Sequence, residues 1–152
     1  MLRNGTYTSI DFPGAVLTEV WRVTDGGHIL GKYQSPADGK YNLFLYSNGV
    51  FSNVPDVPGS IETAPADISS GDLDGAGHMV GDYADQTPIM QKFKFGKASG
   101  NLHGFLLSGG VYTAIDFPGA SATAAWGLHS SGVIVGGYVN ANNVAHGYIR
   151  TP

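Results

Sequence analysis

Two aspartates flanking a leucine at a glycine-rich turn are the residues of this sequence best suited to metal chemistry. Ser70-Gly71-Asp72-Leu73-Asp74-Gly75-Ala76-Gly77 reads as a fragment of an Asp-x-Asp-Gly calcium loop. Ca²⁺ takes roughly six to eight oxygens, and alternate carboxylates around a turn present several. The stretch offers no third acid at Ala76 and no glutamate at the closing distance, so it reads equally as a solvated Asp-Gly turn. Ca²⁺ at Asp72 and Asp74 is the one metal expectation, and no cofactor is otherwise required. Asp67, Asp72, Asp74, Asp82 and Asp85 crowd into the same part of the chain. Acids converging in one cleft are what a polysaccharide hydrolase needs, but this spacing specifies no mechanism.

The aromatic residues are the other candidates. Trp21, Trp126, Tyr33, Tyr83 and Tyr138 could stack on the apolar face of a sugar, or equally pack a core with the polar atom finding a partner. The five histidines, His28, His78, His103, His129 and His146, form no His-x-x-x-His or Glu-x-x-His pair, which leaves a transition-metal site weakly supported. No Gly-x-Ser-x-Gly elbow, phosphate loop or dinucleotide fingerprint occurs.

These residues recur at fixed places in a repeat. Tyr7-Thr8-Ser9-Ile10-Asp11-Phe12-Pro13-Gly14-Ala15 returns as Tyr112-Thr113-Ala114-Ile115-Asp116-Phe117-Pro118-Gly119-Ala120. A weaker middle copy, Phe51 to Ser60, carries one extra residue. Thr18, Thr63 and Thr123 follow the Pro-Gly glycines, and Trp21, Ala66 and Trp126 stand three further on. Then come Gly27-His28-Ile29-Leu30-Gly31-Lys32-Tyr33, Gly77-His78-Met79-Val80-Gly81-Asp82-Tyr83 and Gly132-Val133-Ile134-Val135-Gly136-Gly137-Tyr138. Each unit closes on Asn42-Leu43-Phe44-Leu45, His103-Gly104-Phe105-Leu106 or His146-Gly147-Tyr148-Ile149. Units of about 1–49, 50–110 and 111–152 make one repeat domain over 1–152.

Each unit predicts four short strands. Tyr7–Phe12 alternates and stops at Pro-Gly, which cannot continue a ladder. Thr18–Val23 ends at Asp25-Gly26-Gly27, His28–Tyr33 follows, and Tyr41–Tyr46 ends at Ser47-Asn48-Gly49, a hairpin turn signal. No stretch keeps a helical period. The middle unit is irregular, with extra residues expected at Ser70–Asp74 and a long loop from about Ala84 to Gly100, where any short helical turn is placed. The expected core is Ile10, Phe12, Val23, Ile29, Leu30, Phe44, Val54, Ile68, Met79, Val80, Phe105, Ile115, Phe117, Leu128, Ile134 and Val135. Asp11 and Asp116 are expected to accept turn N–H groups beside Pro and Gly.

The pattern of Asp-Phe-Pro-Gly-Ala at 11–15 and 116–120, with His103-Gly104-Phe105-Leu106 and His146-Gly147-Tyr148-Ile149, resembles the extracellular bacterial repeat family called HAF. The resemblance covers nearly the whole chain. Gly127-Leu128-His129 and Arg22-Val23-Thr24 depart from the Gly-Ile-Asn usual in that family. The resemblance implies secretion and a propeller-like β array, and it implies no established activity.

The expected fold is all-β, three four-stranded units serving as propeller blades. Three blades are fewer than the roughly four to eight that close a propeller, so a homodimer closing six blades is expected, with the N-terminal strand completing a sheet with the C-terminal one. The alternative is a β-trefoil or β-prism that closes as a monomer. Composition agrees with a turn-rich β protein: 23 glycines, 8 prolines, 13% charged residues, net charge −4 and no cysteine. No basic stripe suits nucleic acid, no apolar run suits a membrane helix, and Met1-Leu2-Arg3-Asn4-Gly5 does not read as a signal peptide. A non-catalytic binding or scaffold module, glycan being the candidate ligand, is the first functional expectation. A polysaccharide-acting hydrolase or lyase using the acids of the middle unit is the second, and a structural surface or assembly unit the third.

Overall fold

The computed structural model describes residues 5, 7–63, 71–85 and 102–152. Within them lie twelve β-strands and no helix. The first sheet is built in chain order from β1 (Leu17–Val23), β2 (Ile29–Gln34), β3 (Tyr41–Ser47) and β4 (Val50–Asn53). The second holds β5 (Glu62–Thr63) and β6 (Gly71–Leu73), both paired with β7 (Met79–Ala84), then β8 (Leu102–Ser108) and β9 (Val111–Ile115). The third holds β10 (Ala122–Leu128), β11 (Ile134–Val139) and β12 (Ala145–Arg150). All pairings are antiparallel.

The repeat is visible in the register. Thr18 faces Tyr33, Thr63 faces Tyr83 and Thr123 faces Tyr138. Each threonine Oγ1 accepts an N–H from the Pro-Gly turn before it, at 2.9 Å: from Phe12, Val57 and Phe117. Each threonine thereby ties the start of its own strand to the turn before it. This tie also corrects the role given to Asp11 and Asp116: the threonine supplies the acceptor at the turn, and Asp116 bonds instead to His103. The sheets are also offset from the expected units by one strand. The segment before each Pro-Gly, β4 or β9, pairs with the strand preceding it and so forms the outer edge of the earlier sheet. Residues 7–12, the first copy of that segment, lie in no strand.

Successive sheets pack face to face. The first meets the second through β1 with β6 and β3 with β5, and β10 of the third lies across β6, β7, β8 and β9. Leu30, Leu43, Val54, Val57, Leu73, Met79 and Phe105 fill the first interface. Val80, Ile115, Ala125, Leu128 and Ile134, with a second cluster of Ala84, Leu102, Ala122, Ala124 and Val139, fill the other. A glycine in each central strand gives way to a ring of the neighbouring strand in the same sheet: a Cβ on Gly31, Gly81 or Gly136 would meet Phe44, Phe105 or Tyr148 at 2.6, 2.8 and 2.7 Å. Among the described residues the three sheets do not close into a barrel or propeller.

The expected core holds at Leu30, Phe44, Val54, Met79, Val80, Phe105, Ile115, Leu128 and Ile134, all buried. Ile10, Phe12, Ile29 and Phe117 are half-buried. Val23 and Val135 are corrections, since both are exposed. Their counterparts in the second sheet, Leu73 and Val80, are buried because a neighbouring sheet lies over them. Val23 belongs to the uncovered face of the first sheet and Val135 to that of the third. Ala66, Asp67, Ile68 and most of the Ala84–Gly100 stretch lie outside the described residues.

The extra residues of the middle unit also move. Asp72 and Leu73 occupy regular positions, pairing as Arg22 and Val23 do in the first sheet, and Asp74 bonds to His78 as Thr24 does to His28, so the additional length falls between Thr63 and Gly71. In the other two sheets that point is a β-bulge, at Trp21 and at Trp126. A bulge re-aims its side chain, and in both sheets the residue so placed is a tryptophan.

Candidate functional site

Asp72 is buried, and both its oxygens are engaged. Oδ1 lies 2.6 Å from Arg22 Nε and 2.8 Å from the Leu73 N–H, and Oδ2 accepts the Leu128 N–H at 2.8 Å. Asp74 caps its own turn. Oδ1 accepts the N–H groups of Ala76 and His78 at 2.9 Å, and Oδ2 lies 2.8 Å from His78 Nδ1. Burial pushes the Asp74 carboxyl up, but the hydrogen bonds from the His78 ring, the His78 N–H and the Ala76 N–H outweigh it and hold it below its ordinary value. Thr24 does the same work in the first sheet by accepting the His28 N–H, and His129 in the third by accepting the Ser131 N–H. Asp72 and Asp74 are therefore turned toward donors of the chain itself, and this geometry gives the calcium reading no support. Among the described residues no three His, Asp or Glu side chains gather as a metal group.

Asp82 is fully buried and accepts the Ala125 N–H at 2.8 Å. Asp85 is exposed, 3.5 Å from His103 Nε2, while His103 Nδ1 lies 2.9 Å from Asp116 Oδ1. Asp67 is outside the described residues. The four described acids thus divide between sheet-to-sheet ties, a turn cap and a surface histidine.

The aromatic candidates separate in the same way. Tyr33 stacks on Phe12 with ring centroids 3.7 Å apart and planes 1° from parallel. Tyr138 stacks on Phe117 at 3.7 Å and 3°, and His146 lies at 5.1 Å and 25° from it. Tyr83 has the histidine, His103, at the same 5.1 Å and 25°. Where the other two units place a phenylalanine, though, the middle one places Val57, the residue whose N–H Thr63 accepts. Val57 and Tyr83 line an open cleft of about 460 Å³ with Pro58, Phe105, Val111 and Tyr112. Burial, then the charges of Asp116 and Asp85, push the Tyr83 phenol up. Burial, then Asp56, push that of Tyr112 up to about 12, and its hydroxyl donates to the Pro55 carbonyl at 2.6 Å. Both phenols are neutral hydrogen-bonding groups at ordinary pH.

Trp21 packs against the first interface, with Lys32 Nζ 5.2 Å from its ring. Trp126 lies over Gly137 on the open face of the third sheet, 43% exposed. Of the five aromatic candidates, the cleft takes Tyr83 alone. Val57, Pro58, Val111 and Tyr112 were not singled out from sequence, yet a signal existed: Val57-Pro58-Gly59 stands against Phe-Pro-Gly in both other copies.

Comparison with family models, curated proteins and solved structures returned no match to this chain. Among the described residues, no helix is long and apolar enough to cross a membrane.

Proposed function

We propose that this chain is a non-catalytic binding module whose ligand presents a flat, apolar-faced ring, a sugar of a glycan being the class that fits, to the cleft beside Tyr83. The observation that carries the reading is the exchange of Phe for Val57. In two units a ring lies parallel on the tyrosine. In the third that ring is replaced by a small side chain beside an open cleft, with the tyrosine still backed by a histidine. A pyranose ring set on Tyr83 would take the place of the missing phenyl ring, and the exposed carboxylates of Asp85 and Asp116 would accept its hydroxyl hydrogens. Pockets of this kind, an apolar wall with a few polar groups, are the usual form of small-ligand sites.

The acids support binding over catalysis by what they already do. Asp72, Asp74 and Asp82 hold sheets and a turn together, so spending them on proton transfer would break those ties. The three sheets are read as blades of an array, and an extracellular setting accompanies the resemblance to HAF repeats. A glycan array followed by calorimetry tests the reading. Binding of a neutral glycan that falls at least tenfold in Tyr83→Ala and is kept in Tyr33→Ala is the expected result. An array without a hit, or equal losses at both tyrosines, overturns it.

A further inference from the structure

The first and second sheets each end on a strand borrowed from the following repeat, β4 on β3 and β9 on β8. In the third sheet, among the described residues, the outer edge of β12 carries no strand. The chain holds a second copy of the strand that would fit there. Tyr7-Thr8-Ser9-Ile10-Asp11 matches Tyr112-Thr113-Ala114-Ile115-Asp116, which is β9 and the residue after it. Among the described residues, 7–11 makes no backbone hydrogen bond, and Tyr7 is 89% exposed. An open edge and an unpaired strand-forming segment leave N–H and C=O groups that can satisfy one another.

We propose that Tyr7–Asp11 of a second copy of this chain adds to β12 as the fourth strand of the third sheet, joining the copies head to tail. The second sheet gives the register. Ile115 faces Gly104, Ala114 faces Phe105 and Thr113 faces Leu106, so Ile10 comes opposite Gly147, Ser9 opposite Tyr148 and Thr8 opposite Ile149. Asp11 then reaches His146 as Asp116 reaches His103, at 2.9 Å.

A second observation, on the face and not the edge, points the same way. β9 leads through Asp-Phe-Pro-Gly into β10, which lies on the second sheet. A donated strand therefore carries the donor's first sheet over the open face of the third. That face is apolar: Val135 is 44% and Ile149 72% exposed, whereas Val80, in the place of Val135, is buried. The donor's face is apolar as well, holding Val23 and Ile29 where the second sheet holds the buried Leu73 and Met79. The contact is head-to-tail, so closure yields a ring, and two copies of three sheets match the size of a propeller.

Light scattering on the full chain across a wide dilution series is expected to give twice the 15.9 kDa of one chain at high concentration. Asp11→Ala or His146→Ala should raise the dissociation constant at least tenfold. Removing residues 1–11, of which the described 7–11 make no backbone hydrogen bond, should leave a folded monomer. The chain has no cysteine, so Thr8→Cys with Ile149→Cys should form a disulfide between two chains, and Ser9→Cys with Ile149→Cys, pointing to opposite faces, should not. A monomer at every concentration, a disulfide closed within one chain, a dimer that survives removal of 1–11, or equal cross-linking by both cysteine pairs would each overturn the proposal. The ligand reading at Tyr83 stands or falls separately, because none of these variants touches that cleft.

Discussion

Asp82, in the middle of the second sheet, accepts the N–H of Ala125 on the first strand of the third sheet at 2.8 Å, with its side chain fully buried. With the bond from Leu128 to Asp72, it fastens the two sheets at two heights along β10. Both N–H groups would otherwise be buried donors without an acceptor, which is why a carboxylate is tolerated between apolar faces.

Asp82→Ala should therefore destabilise the chain by about 2–4 kcal/mol, the range for leaving buried charged or hydrogen-bonded partners unmatched. Asp82→Asn keeps an acceptor oxygen and should lose less. Urea unfolding of the two variants checks the order, and equal losses would show that the Ala125 bond is not what Asp82 supplies.

Tyr148 offers the opposite case. Its position in the repeat is held by Phe44 and Phe105 in the other sheets, and its hydroxyl is buried without a hydrogen-bond partner among the described residues. Burial, with Asp82 next in weight, pushes the phenol up to about 12. Tyr148→Phe removes an unsatisfied group and keeps the ring, so a gain of about 1 kcal/mol is expected. A thermal melt that falls instead of rising would point to a partner for that hydroxyl.

Asp74 predicts a pH dependence. Its carboxyl is held below the ordinary 3.8 by the His78 and Ala76 donors, so the ionised form favours the folded state. That stability is complete above the ordinary value and is lost as the pH falls through the lower folded value. Asp74→Ala should cost about 1–3 kcal/mol at neutral pH, where two turn N–H groups lose their acceptor. The gap to the unchanged chain should narrow below about pH 4, the ordinary carboxylate range. Unfolding curves at neutral and strongly acid pH test this, and a gap that stays constant would remove the ionised turn cap.

Most of the fold was legible because its signals are local and repeated. The Gly-x-Tyr steps mark central strands in which a ring packs where a Cβ would be, and the threonine after each Pro-Gly marks the turn it ties. The offset of each sheet by one strand was not legible. Tyr112–Ile115 pairs backward with β8, and no local property of that segment says which neighbour it joins. The exposure of Val23 and Val135 escaped for a related reason: burial there depends on whether another sheet arrives, not on the strand's own pattern. The acids misled because clustering in sequence became separation in space. Asp72 and Asp82 reach toward the third sheet, whereas Asp74 stands just past the end of β6 and turns back onto its own loop.

Val57 supplies the sharpest test of the candidate site. In the first and third units a phenylalanine occupies its place and stacks at 3.7 Å on the tyrosine. Val57→Phe should rebuild that stack on Tyr83 and fill the cleft with the chain's own ring. Overpacking a closed core costs about 1–3 kcal/mol, and Val57 is itself buried in the first interface, but it also borders an open cleft and the other two units already accommodate the larger side chain. Stability should hold or rise by about 0.5–1.5 kcal/mol, the worth of an aromatic pair, while glycan binding falls at least as far as in Tyr83→Ala. Removing Tyr83 deletes the stacking surface, whereas filling the position of Val57 leaves Tyr83 in place and covers it. Loss of binding in both, with stability lost only in Tyr83→Ala, assigns the ligand to the position of the missing ring. Undiminished binding by a folded Val57→Phe would place the ligand elsewhere on the molecule.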